Sequence, residues 1–118
     1  MPSVEIDDGT LRVSPRGWGR LVTLGRDIRV PVSAVERAYV DREVARDVSP
    51  RLAGMGFRAW IPGRRFAADQ RRPGGRGREF WDVEVSDDAV LVVDLAGEKY
   101  GRLIMSVDDA DALAERLG

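Results

Sequence analysis

Residues 78–118 read REFWDVEV, SDDA, VLVVDL, AGEKYG, RLIMSV, DDADALAERLG, and this stretch decides the fold. Trp81, Val83 and Val85 alternate with Asp82 and Glu84, the period of a strand with one apolar face. Leu91, Val93 and Leu95 repeat the pattern, as do Leu103, Met105 and Val107. Ser86-Asp87-Asp88 and Ala96-Gly97-Glu98 supply turn residues between them. The expectation is a three-strand meander, in which Trp81, Val83 and Val85 face Leu95, Val93 and Leu91 across the first hairpin. An amphipathic helix follows. Asp108 is its expected N-cap, and Ala110, Leu113, Ala114 and Leu117 form one apolar stripe at a 3.6-residue period.

Working outward, the chain's 118 residues suffice for a single domain, 1–118, with its own core. A composition 43% hydrophobic and 33% charged is that of an ordinary globular protein. No apolar run approaches the roughly 20 residues that span a bilayer. No secretory h-region follows Met1, so the expected location is cytoplasmic. Histidine, cysteine and asparagine are all absent. That removes the usual neutral-pH base, the thiol nucleophile and the commonest zinc ligands. Neither a carboxylate pair nor a serine with Lys99 has catalytic spacing. No catalytic residue, metal or cofactor is therefore assigned, and the chain is expected not to be an enzyme. A net charge of −1 also argues against a general nucleic-acid binder.

Upstream, Val4-Glu5-Ile6 and Thr10 to Val13 flank Asp7-Asp8-Gly9, a hairpin signal whose three loop residues allow a bulge. Arg20–Leu24 and Ile28-Arg29-Val30 read as strands around a turn at Gly25-Arg26-Asp27. Pro31 marks an edge or a break. Ser33 and Glu36 suggest a capping box on one helical turn. Arg37–Val44 is a strand with Ala38 and Val40 on one face and Tyr39 on the other. The middle, Arg46–Gly77, carries three prolines and six glycines, and only 57–61 and 66–68 are strand-like. Arg71–Gly77 is expected to be an exposed hairpin tip. Many short strands and a terminal helix suggest a sandwich or partly open barrel.

This layout resembles the bacterial pleckstrin-homology-like (PH-like) domains over roughly residues 5–117. Asp108-Asp109-Ala110 opens the helix as an acidic Asp-Pro segment does in relatives, with Ala110 in place of the proline. Gly54-Met55-Gly56-Phe57-Arg58 with Pro62-Gly63 looks like the family's glycine-rich passage, and Phe80-Trp81 enters the next strand in the same way. The resemblance implies a mainly β, PH-like split barrel of two antiparallel sheets with one C-terminal α-helix. It implies a non-catalytic module that mediates protein–protein interaction or self-association. Phosphoinositide-binding PH domains cluster basic residues around the first strand loop. Here only Arg16 and Arg20 flank Trp18, so headgroup binding does not follow.

Two sets of residues are candidates for contact. Residues 58–78 hold seven arginines against one acid, Asp69, a local charge of +6 that leaves −7 for the rest of the chain. Arg58, Arg64, Arg65, Arg71 and Arg72 are the candidate anion-binding residues, since guanidinium groups suit bidentate phosphate and carboxylate recognition. The plain alternative is a solvated hairpin in an arginine-rich chain, which has one lysine. An anionic lipid surface is the runner-up partner. The second set is Trp18 in its glycine-flanked loop with Phe80, Val90, Val92 and Ile104, which alternation turns outward. Either a small barrel's twist buries both faces or another copy covers them; the latter makes them the expected self-association interface. Gly54-Met55-Gly56 lacks the third glycine of a dinucleotide fingerprint and reads as a turn. Asp108, Asp109 and Asp111 do not match a calcium loop and suit a helix start.

Overall fold

The computed structural model describes residues 2–15, 26–42, 65–71, 77–84 and 89–118. The first hairpin joins β1 (Ser3–Asp7) to β2 (Thr10–Ser14). Its loop is two residues, since Asp7 pairs with Thr10, and Asp8 and Gly9 both take positive φ (51° and 74°). That is the conformation of a type I′ turn, which aspartate tolerates and glycine favours. The expected three-residue loop is thus one residue too long. β3 (Ile28–Pro31) completes an antiparallel sheet in the order β1-β2-β3. A 3-10 turn, Val32–Ala34, follows without a side-chain cap, so the Ser33–Glu36 capping box does not form.

The second sheet contains β4 (Val35–Asp41), β5 (Arg65–Arg71), β6 (Arg78–Glu84), β7 (Val90–Leu95) and β8 (Tyr100–Met105). Its order is β4-β7-β8-β6-β5. Strands 6 to 8 are therefore not a meander. β8 lies between β6 and β7, antiparallel to β7 and parallel to β6. The sheet is mixed, so the expected pair of antiparallel sheets is corrected here. β5 is also longer than the fragment at 66–68 suggested.

The insertion reverses the expected partnership of faces. Phe80 stands opposite Leu103, and Leu103 opposite Val93, which in turn pairs with Ala38. These residues join Leu91, Leu95 and Met105 in one cluster with Leu11, Val13, Ile28 and Val30 of the first sheet. Trp81, Ile104, Val92 and Tyr39 form the next row on the opposite face, with Val83 and Val90. Trp81 and Val83 therefore never meet Leu91, Val93 and Leu95.

Two bulges adjust the alternation. At the start of β8, Arg78 pairs with Tyr100 but Glu79 pairs with Arg102, leaving Gly101 as the extra residue. The bulge brings Tyr100 to the side of Leu103 and Met105 despite its odd spacing. Its ring meets Phe80 edge-on at 6.1 Å between centroids. Gly77 has φ +76°, and a Cβ there would lie 3.2 Å from the Gly101 nitrogen. In β4, Glu36 is the extra residue, so Val35, Ala38 and Val40 all reach the main core.

Helix α1 (Ala110–Leu117) lies against β4 and β7. Ala110 and Leu117 are buried, with Leu113 and Ala114 packed on the main core, as the stripe predicts. The cap is Asp109, one residue later than expected. It adopts a left-handed conformation (φ 57°) and makes no side-chain cap bond. Ahead of it, Ser106 is fully buried and ties β8 to β6. Its N–H donates to the Asp82 carbonyl at 2.9 Å, and its Oγ accepts from the Glu84 N–H at 2.8 Å. Among the described residues no helix is long and apolar enough to cross a membrane.

Candidate functional site

Phe80, Val90, Val92 and Ile104 were expected to form an exposed face. All four are buried within the single chain, with Val90 at 0%, Val92 at 2% and Ile104 at 2% exposure. Phe80 lies on the opposite side of the sheet from the other three. Of the two readings, this is the one in which both faces are buried within the chain, so the four residues are core and not an exposed face. On the face of Val90, Val92 and Ile104, β8 completes an apolar row from Tyr39 to Trp81. Trp18 lies outside the described residues.

Of the arginine set, Arg58, Arg64 and Arg72 also lie outside the described residues. Arg65 and Arg71 begin and end β5, the strand at one edge of the large sheet. β5 pairs with β6 as an antiparallel hairpin, with Arg65 opposite Glu84 and Arg71 opposite Arg78. Two arginines thus face each other at the closing end of the hairpin. The connecting segment carries Arg72 and Arg76 in its sequence.

The sequence reading missed a row of charges on the second face. Register aligns Arg37, Asp94, Arg102 and Glu79 across β4, β7, β8 and β6. Arg102 donates from Nε to Asp94 Oδ1 at 2.7 Å and lies 4.0 Å from Glu79 Oε2. That hydrogen bond raises the guanidinium pKa, while partial burial opposes the shift, so Arg102 remains charged. Glu79 is itself buried and accepts from the Trp81 indole N–H at 3.3 Å. Arg37 completes the row, its guanidinium 4.2 Å from the Tyr39 ring centroid. The signal was in the sequence as Glu79, Asp94 and Arg102, but only strand order makes them neighbours. The row positions strands and offers no reactive group to solvent.

A groove between the sheets was also missed. It encloses about 390 Å³ and runs between Arg26–Val30 and the Glu98-Lys99-Tyr100 end of the β7–β8 turn. Ile28, Val30 and Tyr100 are its nearly buried apolar residues. Arg26, Arg29 and Lys99 are exposed along it, as is Asp27, and Glu98 is half-buried. The ammonium of Lys99 lies 5.4 Å from the Tyr100 ring centroid. Lys99 is the chain's only lysine, the one feature by which the sequence singles out this place. Among the described residues no group of three or more acidic side chains could hold a metal ion.

Comparison with known proteins adds little. No family model matches the chain. No solved structure matches it. A UDP-N-acetylenolpyruvoylglucosamine reductase from Nitrobacter hamburgensis is 30% identical over 96 residues, covering 76% of this chain. The chain spans only 30% of the length of that relative.

Proposed function

We propose that the chain is a non-catalytic binding module of PH-like type, whose β5–β6 hairpin contacts an acidic protein partner. One observation carries this reading: Arg71 stands directly opposite Arg78 at the end of a hairpin whose connecting segment adds two more arginines. An acidic surface would supply carboxylates to the guanidinium groups that the sequence concentrates at this end of the hairpin, in charge-assisted pairs. Position supports the same reading. β5 is an edge strand of the large sheet, whereas both faces of β6, β7 and β8 carry buried side chains.

The test is fluorescence anisotropy of a labelled ten-residue glutamate peptide against the purified chain at rising salt. Binding that weakens with salt, and weakens at least tenfold in Arg71→Ser/Arg72→Ser/Arg76→Ser, supports the proposal. Equal binding by that variant refutes it. Co-sedimentation with vesicles containing phosphatidylserine, without binding to the peptide, would replace the protein partner by a membrane surface. An enzymatic reading rests on the partial likeness to the reductase. Turnover of UDP-N-acetylenolpyruvoylglucosamine by the purified chain would establish it.

A further inference from the structure

The groove between the sheets differs in kind from the arginine hairpin. It has depth, and each of its walls combines apolar with charged residues. Ile28, Val30 and Tyr100 present the residual apolar surface of side chains that are 5–6% exposed. Three cations border that surface against two carboxylates, Asp27 and Glu98. Among the described residues, none of these five charged groups is engaged in an ion pair. Five charges around one opening have therefore not neutralised one another, and the excess is positive. The volume, about 390 Å³, falls in the range of small-molecule sites, which are mostly apolar with a few placed polar groups.

We propose that this groove binds a small amphipathic anion, with its carboxylate or phosphate held by Lys99 and Arg26 and its apolar body on Ile28, Val30 and Tyr100. The chemistry follows from both kinds of residue in the groove. A purely hydrophilic anion would leave the apolar residues wet, and an apolar amine would meet the excess positive charge. Lysine serves as a compact, mobile point charge, and its stem can lie along the aromatic ring while the ammonium follows the ligand. This site does not depend on the hairpin reading, because it lies on β3 and the β7–β8 turn.

The probe is 8-anilinonaphthalene-1-sulfonate, an aromatic sulfonate that fluoresces in apolar surroundings. The expected result is saturable binding of one probe per chain. Octanoate and octyl phosphate should displace it, with octylamine and inorganic phosphate at least tenfold weaker. Lys99→Glu/Arg26→Glu should lose at least tenfold in probe affinity, and Lys99→Arg should keep it. Because the chain has one lysine, acetylation by an N-hydroxysuccinimide ester, read by mass spectrometry, reports on Lys99 directly. Octanoate should slow that acetylation and leave the α-amine unaffected. Displacement by octylamine as good as by octanoate would overturn the proposal, as would unchanged binding by the double variant. The hairpin variant Arg71→Ser/Arg72→Ser/Arg76→Ser should bind the probe normally, which separates this outcome from that of the peptide experiment.

Discussion

Replacing Ile104 with alanine tests whether the second face of the large sheet is a core. Ile104 is 2% exposed and stands between Val92 on β7 and Trp81 on β6. The substitution removes three carbons, worth roughly 2.4 kcal/mol at about 0.8 kcal/mol per buried methylene. The cavity left under Trp81 adds to this, for a total of about 3 to 4 kcal/mol. That is a large share of the roughly 5 to 15 kcal/mol that stabilises a typical domain. Urea unfolding followed by tryptophan fluorescence should show the loss as a lower midpoint with an unchanged slope. The melting temperature should fall by about 10 to 20 °C. A cost below about 1 kcal/mol, the level of a surface change, would mean that the face is open to solvent and that the packing described here is wrong. A loss that grows as protein is diluted would mean that a second copy covers the face.

Ser106→Ala removes the acceptor for the Glu84 N–H. It should cost roughly 1 to 2 kcal/mol and speed hydrogen exchange at the Glu84 amide. Arg102→Met strips the shared cation from Asp94 and from the buried Glu79. A loss of roughly 2 kcal/mol is expected by thermal melting, whereas Glu5→Ala, which breaks an exposed pair with Arg12, should cost less than about 1 kcal/mol. Gly77→Ala forces a side chain onto a positive φ and against the Gly101 backbone. It should destabilise the chain by about 1 kcal/mol or more, seen in urea unfolding, while the equally positive Gly9, with open space around it, should cost less.

Local elements were legible in the sequence because their causes are local. Asp8-Gly9 makes its turn from its own backbone preferences, and Ala110, Leu113, Ala114 and Leu117 announce the helix stripe. Leu91, Val93 and Leu95 were correctly placed together because alternation is a property of one strand. What alternation does not encode is which strand lies beside which. Both faces of β6, β7 and β8 carry apolar residues, so the pattern fits a meander and an inserted strand equally well. Choosing the meander paired Trp81 with the wrong partners, and alternation alone, read as one buried and one open face, turned Val90, Val92 and Ile104 into an apparent surface. The bulges at Glu36 and Gly101 were hidden for the same reason, since each is defined by a neighbouring strand. The groove beside Lys99 joins residues about 70 positions apart, and only the packing of the two sheets brings them together.

The position of β8 decides all of this. It completes the apolar row of the second face, separates β6 from β7, and sets the β7–β8 turn against β3. Backbone nuclear Overhauser contacts on isotope-labelled protein test it most directly. The account predicts contacts of parallel type between Trp81 and Ile104 and between Phe80 and Leu103, with Leu91 facing Met105 across an antiparallel pair. Antiparallel backbone contacts between β6 and β7, such as Trp81 with Leu95, would restore the meander and contradict it.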